Sequence, residues 1–326
     1  MQEGVTSMKF LVTGGAGFLG SSICRKLVAR NMEVTIFDSF VQYISPLTSK
    51  YQKYLEYRFH DLRDKVRIIR GDTRDKLNLQ RTIQNVKPDI IIHLAALPLA
   101  DFSDQFSSET NSTIIDSTVN ILETMRDVLS IKRMVFASSS MVYGDFVCEP
   151  AVEDQPKLPK DLYGGAKYAA EILIGAYARR YNLDVTIIRP SALYGPTDVN
   201  HRVSQIFLEK AIAQEEIVIH GSGETKLDFT FIDDAAEGFI LASLALEAKN
   251  ETFNITRGEG RSLNEYLEIL KTYFPGIRTT HKAIDLHRPR RGALDISKAR
   301  SKLGYNPQYS LEKGIAEYVQ FVKKVG

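Results

Sequence analysis

The sequence predicts an α/β fold in which a doubly wound parallel sheet is followed by a smaller C-terminal lobe. Short apolar runs rich in β-branched residues alternate with amphipathic helical stretches through the first two thirds of the chain. The runs are continuously hydrophobic, which is typical of strands buried on both faces of a parallel sheet. Alternation of such strands with helices predicts helices on both sides of that sheet.

Six runs are predicted to form the strands, and the segments between them are predicted helices. The strand sequences are KFLVTG, EVTIFD, VRIIRGD, DIIIHLAA, RMVFASSS and DVTIIRP. The longest helical segments are SSETNSTIIDSTVNILETMRDVL and KYAAEILIGAYARRY. Residues 39–65 interrupt this rhythm with many aromatic and charged positions. We interpret them as one or two additional surface helices rather than as a substrate lid.

The alternation ends after RPSALYGP. Helical VSQIFLEKAIA, LNEYLEILKTYF and ISKARSKLG are interleaved there with strand-like EEIVIH and DFTFIDD. We therefore expect residues 8–190 to form the sheet domain, with some later segments returning to it. Residues 191–326 should form mainly a substrate-binding lobe. Residues 1–7 precede a second methionine, Met8, and we interpret them as a vector remnant or a disordered lead.

Composition excludes several classes of protein. The chain of 326 residues has 42 basic and 40 acidic side chains, so no global field would attract nucleic acid or an anionic membrane. Two cysteines, Cys24 and Cys148, are too few for a disulfide framework and fit a reducing cytosol. No apolar run approaches the roughly 18 residues of a membrane span, and the N-terminus lacks a signal-peptide pattern. We expect a soluble cytoplasmic protein without a bound metal.

The segment TGGAGFLG follows the first predicted strand and opens a helix. Gly14, Gly17 and Gly20 match GxxGxxG, while Gly15 offers the first position of a GxGxxG match. Glycines leave backbone N–H groups and the positive helix end open to a diphosphate, although an ordinary turn can carry the same string. Asp38 ends the second strand eighteen positions after Gly20, where a carboxylate would accept hydrogen bonds from adenosine ribose hydroxyls.

The charge of Asp38 indicates which dinucleotide is bound. It would repel a 2′-phosphate, and residues 39–42 contain no arginine or lysine to hold one. The sequence therefore predicts a Rossmann-type domain that binds NAD rather than NADP. Asp72 closes the third strand in GDTRD, where its carboxylate could reach the adenine amino group. A plain turn residue is the competing interpretation of Asp72.

Tyr163 and Lys167, in the segment DLYGGAKYAA, are four positions apart and therefore share one helix face. A tyrosine with a pKa near 10 is a poor base at neutral pH, but a nearby ammonium and a positive nicotinamide ring favour its phenolate. Such a tyrosine is a usable proton acceptor. Because each glycine costs a helix interior about 1 kcal/mol relative to alanine, we interpret Gly164 and Gly165 as keeping the helix start clear of the site.

Together with TGGAGFLG, the YxxxK pattern resembles the short-chain dehydrogenase/reductase family. The resemblance is closest to its extended branch of nucleotide-sugar epimerases and dehydratases, such as the UDP-hexose 4-epimerases. It covers nearly the whole chain, because five further segments are similar to motifs of the family and occur in the same order. They are HLAA (93–96), SSSMVYG (138–144), RPSALYGP (189–196), LDFTFIDDAAEG (227–238) and DISKARSKLGY (295–305).

The resemblance implies a role for each candidate site residue. Tyr163 would take the proton of a sugar hydroxyl, Lys167 would hold the nicotinamide ribose and lower the tyrosine pKa, and Ser139 would hydrogen-bond the reacting oxygen. The implied NAD contacts are Gly14, Gly17, Phe18, Leu19, Gly20, Asp38, Asp72, Thr73, Leu94, Ala95, Ala96, Tyr163, Lys167 and Pro190. The implied contacts to a nucleotide-diphosphate sugar are Ser139, Ser140, Arg202 and Arg291.

Two positions indicate which reaction of the family is carried out. Dehydratases of the family carry an Asp-Glu pair just after the catalytic hydroxyl, and decarboxylases usually keep a glutamate there. This chain has Ser140 and Met141, and neither side chain transfers protons usefully at neutral pH. The resemblance therefore implies an epimerase in which NAD removes a hydride from a sugar carbon, commonly C4, and returns it to the opposite face of the ketone. A UDP-hexose or UDP-hexuronic acid is the expected substrate.

Three other functions remain open, and one of them is a dehydratase of the same family. A net oxidoreductase, such as a 4-ketosugar reductase, would use the same residues but would release and replace its cofactor. A non-enzymatic dinucleotide sensor on the same fold is a more distant alternative, since such sensors typically lose the YxxxK pair.

Several positions depart from the family pattern. The arginine that usually precedes the DF of LDFTFIDD is replaced by Leu227, with Lys226 beside it. Two usual asparagines are replaced by Ala192 and Ile114, and Ser117-Thr118 stands at the usual Gly-Thr pair. The charge that binds the diphosphate must then come from elsewhere.

Four arginines are the candidates for this charge. Arg288, Arg290 and Arg291 lie in HRPRRG, and Arg202 lies in an earlier loop. Guanidinium groups suit bidentate phosphate contacts, and we favour Arg291 over a merely solvated basic loop.

Two helical segments predict an oligomer. Residues 108–129 and 167–181 carry more apolar positions than one sheet face needs. In the family, the two corresponding helices form a four-helix seam with their symmetry mates. We expect a homodimer with a largely apolar, isologous interface.

Overall fold

The computed structural model describes residues 7–43, 50–97, 100–283, 285 and 288–325. Its strands are β1 (Lys9–Thr13), β2 (Glu33–Asp38), β3 (Arg67–Arg70), β4 (Ile90–His93), β5 (Arg133–Ala137), β6 (Val185–Arg189), β7 (Leu193–Tyr194), β8 (Ile217–His220), β9 (Lys226–Asp228), β10 (Thr230–Phe231), β11 (Thr252–Asn254), β12 (Gly260–Ser262) and β13 (Thr279–Lys282). Seven of these strands form one parallel sheet in the order β11-β6-β5-β4-β1-β2-β3. The prediction of a doubly wound α/β fold is confirmed.

The helices cover both faces of this sheet. They are α1 (Phe18–Ala29), α2 (Tyr51–Phe59), α3 (Lys76–Val86), α4 (Ala100–Gln105), α5 (Ser107–Asn111), α6 (Ser117–Asp127), α7 (Leu162–Tyr181), α8 (Val203–Ala213), α9 (Ile232–Leu244), α10 (Leu263–Tyr273), α11 (Ser297–Leu303) and α12 (Leu311–Val325). A π-helical turn, Ser112–Asp116, joins α5 to α6. None of the helices in the described ranges combines the length and the apolar character that a membrane span requires.

Alternate residues of each strand face opposite sides of the sheet. Phe10 and Val12 of β1 pack in one apolar cluster with residues of α1, α9 and α11. Leu11, between them, packs in another cluster with residues of α3, α6 and α7. This alternation explains why the central strands are continuously hydrophobic. The expectation that every strand is buried on both faces is wrong for β3, where Ile68 is 41% exposed, because β3 lies at the sheet edge.

The strand order places the site. Chain connections run in opposite directions from β1 and β4, which are neighbours in the sheet. In open α/β sheets a crevice forms at such a switch point, beyond the carboxyl ends of the strands. The turn after β1 contains the glycine-rich segment, and the turn after β4 contains Leu94, Ala95 and Ala96.

The inserted segment 39–65 contains α2, whereas residues 44–49 lie outside the described residues. The segment does add one helix with a solvent-facing side, where Gln52, Lys53 and Glu56 are exposed, but its opposite side is buried in the molecule. The rings of Tyr54 and Tyr57 pack against Phe321 of α12, with centroid distances of 5.5 and 4.7 Å. Arg58 is only 2% exposed. Aromatic contacts across the molecule therefore hold α2 between the sheet domain and the C-terminal lobe.

The C-terminal lobe has its own apolar core. Tyr194, Phe229, Phe231 and Tyr266 form a network of ring contacts at its centre. The pairs β8–β13, β9–β12 and β7–β10 surround this core with α8, α10 and α12. The lobe also returns a strand to the main sheet, because β11 pairs with β6 in parallel.

Candidate active site

A cavity of about 230 Å³ lies at the predicted switch point. Its walls come from the turns after β1, β2, β3 and β4, from the start of α7 and from the loop after β7. All fourteen predicted NAD contacts line it: Gly14, Gly17, Phe18, Leu19, Gly20, Asp38, Asp72, Thr73, Leu94, Ala95, Ala96, Tyr163, Lys167 and Pro190. Segments that are far apart in the sequence thus meet around one space.

The glycine-rich turn has the shape that a dinucleotide diphosphate requires. Gly14 has φ of +71°, and a Cβ there would lie 2.8 Å from Ala95 N. At Gly17, a Cβ would lie 3.0 Å from Gly14 O. Gly17 is also the N-cap of α1 and provides no side-chain cap. The first N–H groups of α1 therefore remain free for an anion, so the turn fits the diphosphate of NAD.

Asp38 holds this turn against the end of β2. One carboxylate oxygen accepts the N–H of Ala16 at 2.9 Å, and the other accepts the N–H of Phe40 at 2.8 Å. Burial raises the pKa of Asp38, while these two amides and the charge of Arg58 lower it. The carboxylate lines the cavity at the position predicted for ribose recognition.

Asp72 is engaged by a side chain that the sequence interpretation did not consider. Arg74 binds its carboxylate through Nη2 at 2.6 Å and through Nε at 3.0 Å. Arg74 also donates to Glu109 at 3.1 Å, and the Tyr43 hydroxyl donates to Glu109 at 3.3 Å. The hydrogen bonds from Arg74 occupy most of the acceptor positions of the Asp72 carboxylate, which weakens its predicted role toward adenine.

Helix α7 begins beside the cavity. The Asp161 side chain caps it by accepting the N–H of Gly164 at 2.7 Å. A Cβ at Gly164 would lie 2.7 Å from the carbonyl oxygen of Met141, whereas a Cβ at Gly165 would meet nothing within 4 Å. Gly164 therefore allows α7 to approach the 3₁₀ turn Ser140–Tyr143, and packing against this turn is its role.

The phenol of Tyr163 lies near a hydroxyl and a guanidinium. Desolvation raises the pKa of Tyr163 to about 12, while the charge of Arg202 and a hydrogen bond with Ser139 lower it. Ser139 also accepts the N–H of Met141 at 3.2 Å. Asp198, whose side chain is fully buried, binds Arg202 Nη1 at 2.7 Å.

Lys167 lies one helical turn after Tyr163. Its Nζ donates to the Ala137 carbonyl at 2.6 Å and lies 5.8 Å from the centre of the Tyr163 ring. Burial lowers the pKa of Lys167 to about 7, and the charge of Glu171 opposes that shift. In this structure the cation that lowers the Tyr163 pKa is therefore Arg202, where the sequence interpretation had named Lys167.

A buried network behind the site escaped sequence interpretation. Glu171 accepts hydrogen bonds from Arg189 and from the hydroxyl of Ser138. Arg189 also donates to the Tyr143 hydroxyl at 2.9 Å. The only signal in the sequence was that Glu171 continues the i, i+4 series of Tyr163 and Lys167.

His93 also escaped sequence interpretation, although it opens the HLAA segment. The Ser117 hydroxyl donates to Thr113 O at 2.6 Å, so His93 Nε2–H donates to Ser117 Oγ at 3.3 Å. The other ring nitrogen, Nδ1, then accepts from Thr13 Oγ1 at 2.7 Å. Burial lowers the pKa of His93 to about 3, so the ring is neutral.

Only one of the four predicted substrate contacts lines the cavity. Arg202 lines the cavity, while Ser139, Ser140 and Arg291 do not. Ser140 Oγ and Arg291 Nε are buried and have no hydrogen-bond partner among the described residues. Burial lowers the pKa of Arg291 to about 10, and the nearby charge of Asp161 raises it.

Leu227 cannot replace the missing arginine, because its side chain packs in the core of the C-terminal lobe. Lys226, beside it, is exposed. Arg261 pairs with Leu227 across β9 and β12, but it is bound by Glu259, Glu265 and Glu312. Within the described ranges, no cluster of three His, Cys, Asp or Glu side chains could hold a metal ion.

Comparison with known proteins identifies the family. A sequence model of the NAD dependent epimerase/dehydratase family matches residues 10–256, and this range contains every residue that lines the cavity. The chain belongs to this family. The family prediction and the choice of NAD as cofactor are therefore confirmed.

Individual relatives of this epimerase/dehydratase family member cover almost the whole chain. A putative UDP-glucose 4-epimerase of Methanocaldococcus jannaschii is 34% identical, over 96% of this chain and 98% of its own. The crystal structure of UDP-glucose 4-epimerase from Thermotoga maritima with UDP-glucose has a TM-score of 0.88 and 29% identity, covering 97% of this chain and 99% of its own. The UDP-glucuronic acid 4-epimerase of Bacillus cereus, in complex with UDP-glucuronic acid and NAD, has a TM-score of 0.89 and 26% identity, covering 98% and 100%.

These similarities confirm the prediction of an NAD-dependent epimerase. Residue roles in this chain rest on its own geometry.

Proposed function

We propose that the protein is a nucleotide-sugar 4-epimerase that acts on a UDP-hexose or UDP-hexuronic acid through a transient 4-keto sugar. One observation carries this proposal: Tyr163, next to the Ser139 hydroxyl, opens into the same cavity as the glycine-rich turn. A proton acceptor at the end of a dinucleotide site suits oxidation of an alcohol. The names of the similar proteins support UDP and C4.

The proposed roles follow from the contacts of each side chain. Bound NAD supplies a hydride acceptor that can return the hydride to either face of the sugar. Tyr163 takes the proton of the C4 hydroxyl, and Ser139 hydrogen-bonds the same oxygen. Lys167, fixed by the Ala137 carbonyl, lies where it can bind the nicotinamide ribose. The positive charge of Arg202 favours the phenolate of Tyr163.

Dehydration is disfavoured by the residues after Ser139. Ser140 is 1% exposed, and its N–H donates to the Pro190 carbonyl at 2.9 Å. Met141 has no ionisable group. Neither side chain supplies the acid and base that loss of water requires. Epimerisation needs no such pair, because one proton acceptor serves both the oxidation and the return of hydride.

Arginines are proposed to bind the substrate diphosphate. Arg202 lines the cavity, and its Nη1 is held by Asp198, so the rest of its guanidinium faces the site. The buried Nε of Arg291 lies without a hydrogen-bond partner among the described residues. A phosphate oxygen would satisfy this donor. Arg291 lies close enough to Asp161, the cap of α7, for their charges to interact.

We also propose that the protein is a cytoplasmic homodimer without nucleic-acid or membrane partners. Ile172 of α7 is 56% exposed and Leu129, just after α6, is 93% exposed. A second copy packing on these helices would cover both side chains. In this proposal residues 8–190 form the NAD-binding domain and residues 191–326 mainly the substrate lobe. Light scattering should give a dimer that Ile172→Glu dissociates, and a monomeric wild-type protein would refute the dimer.

Analysis of bound and converted molecules tests the function. Mass spectrometry of the small molecules released on denaturation should find NAD. Incubation with UDP-, GDP-, CDP- and dTDP-sugars should then convert a UDP-hexose or UDP-hexuronic acid into its C4 epimer without net formation of NADH. Stoichiometric NADH with a ketosugar product would favour the net oxidoreductase. Failure to convert any sugar, with NAD still bound, would favour the sensor.

A further inference from the structure

Arg58, in the inserted helix α2, is a buried cation without a carboxylate partner. Three arginines are less than 9% exposed in the described part of the chain: Arg58, Arg133 and Arg189. Arg133 binds Asp184 at 2.9 Å, and Arg189 binds Glu171 at 2.6 Å. Arg58 forms no ion pair with any described residue. Because burying an unpaired charge is costly, its counter-charge is expected to come from a ligand.

The contacts of Arg58 show where that charge is directed. Nη1 donates to the carbonyl of Ala16 at 3.0 Å, within the glycine-rich turn. Nη2 donates to the carbonyl of Thr197 at 2.6 Å, and Nε donates to the Thr197 hydroxyl at 3.3 Å. These acceptors are neutral, so they fix the guanidinium plane without cancelling its charge. Arg58 also lines the NAD cavity beside Gly17 and Phe18.

The glycine-rich turn is where this fold holds the diphosphate of a dinucleotide, and that group carries two negative charges. The N–H groups at the start of α1 provide only partial positive charge. Arg202, which also lines the cavity, is already paired with Asp198. Among the described residues Arg58 forms no direct ion pair at this turn, and the charges of Asp198 and Asp38 act on it without contact.

We propose that Arg58 binds the diphosphate of NAD. The insertion 39–65 thus contributes a cofactor contact. The same guanidinium holds Thr197, which starts the loop that carries Asp198 and Arg202. The cofactor diphosphate and the loop at the substrate end of the cavity therefore share one side chain. This inference depends on NAD binding and is independent of which sugar is converted.

Two ligands that differ in their phosphates test this proposal without an activity measurement. Adenosine fills the adenine and ribose positions and has no charge, whereas ADP-ribose adds the diphosphate. Removing the charge in Arg58→Gln should weaken ADP-ribose and NAD by about ten- to a hundredfold, the usual value of a charged hydrogen bond. Its effect on adenosine should be less than about threefold. Arg58→Lys, which keeps the charge, should retain most of the preference for ADP-ribose.

Arg30→Gln is the matched control, because Arg30 binds Glu237 at 2.6 Å and does not line the NAD cavity. It should leave both affinities unchanged. Equal weakening of adenosine and ADP-ribose in Arg58→Gln would overturn the proposal, since a purely structural link would distort the whole site. Unchanged affinity for ADP-ribose would overturn it as well.

A measurement on the unaltered protein covers the case in which Arg58→Gln does not fold. The side-chain N–H signal of Arg58 can be assigned in an NMR spectrum by its absence from Arg58→Lys. It should shift on addition of ADP-ribose and stay in place on addition of adenosine. A signal that responds to both ligands alike, or to neither, would refute the diphosphate contact.

Discussion

Glu171 and Arg189 form a buried ion pair that ties the middle of α7 to the end of β6. Nη2 of Arg189 lies 2.6 Å from Oε2 of Glu171, and Nε lies 2.9 Å from Oε1. Ser138, at the end of β5, donates to the same carboxylate. The pair therefore fixes the helix that carries Tyr163 relative to the strand ends that carry Ser139 and Pro190.

Glu171→Gln should destabilise the protein strongly, because it leaves the Arg189 charge buried without a counter-charge. Breaking a buried pair in this way costs about 3–5 kcal/mol. The double variant Glu171→Leu/Arg189→Met should lose less stability than Glu171→Gln alone, since no unpaired charge remains. Urea unfolding measures both. A loss below about 1 kcal/mol in Glu171→Gln would contradict the pairing.

Tyr163→Phe should abolish turnover while NAD remains bound. The substitution keeps the ring and removes only the proton acceptor, whose loss typically lowers the rate by about two to four orders of magnitude. Turnover on a confirmed substrate and the NAD content of the purified protein are the measurements. Tyr168→Phe, on the same helix, is the control and should retain activity. Equal activity of Tyr163→Phe and the wild type would remove Tyr163 from the reaction.

Asp38→Arg should weaken NAD binding and improve NADP binding. The carboxylate is replaced by a cation that attracts a 2′-phosphate, and loss of a charged hydrogen bond costs roughly ten- to a hundredfold in affinity. Titration calorimetry with both cofactors measures the change. Asp38→Asn, which only loses the charge, should weaken NAD without gaining NADP. If Asp38→Arg weakens both cofactors equally, Asp38 serves only to hold the N–H of Ala16.

His93→Gln should reduce the loss of stability in acid. The pKa of His93 is about 3 in the fold against 6.5 as its ordinary value, so only the unfolded chain takes up the proton between these values. Stability attributable to this group is complete above pH 6.5 and falls as the pH drops toward 3, by at most about 1.4 kcal/mol per pH unit.

Free energies of unfolding at pH 7 and pH 4.5 measure this effect as a difference between variant and wild type. This difference cancels the contribution of other titrating groups. One of them is Asp228, because burial raises its pKa to about 7. Identical pH dependence of His93→Gln and wild type would mean that His93 is not held neutral.

Arg291→Ala should raise KM far more than it lowers kcat. The diphosphate does not change during oxidation at the sugar, so its contacts stabilise the bound substrate and the transition state equally. A charge-assisted contact accounts for about ten- to a hundredfold in KM. Lys226→Ala is the comparison. If it raises KM and Arg291→Ala does not, the exposed ammonium of Lys226 binds the diphosphate instead.

The parts of the site that local motifs specify were predictable from sequence. The glycine-rich turn and Asp38 each follow a strand, and parallel strands bring their carboxyl ends together. Tyr163 and Lys167 share a helix face through their spacing alone. Such signals depend on neighbouring residues, so they need no knowledge of the packed structure.

The remaining contacts depend on packing between distant segments. Arg58 reaches Ala16 across 42 positions and Thr197 across 139. Its location follows from the aromatic contacts of α2 with Phe321, which no pattern within residues 39–65 indicates. The exposure of β3 likewise results from its place at the sheet edge, and the two arginines that flank its isoleucines fit that place.

Strand β11 interlocks the two lobes. Thr252, Phe253 and Asn254 pair with β6 after the chain has already built α8, β8 and α9. A fragment that ends before residue 252 would lack β11 and would expose the backbone of β6 as a new sheet edge. Swinging one lobe away from the other would also break these hydrogen bonds. Exchange of sugar through loop movements that leave β11 paired with β6 therefore costs less than separation of the two strands.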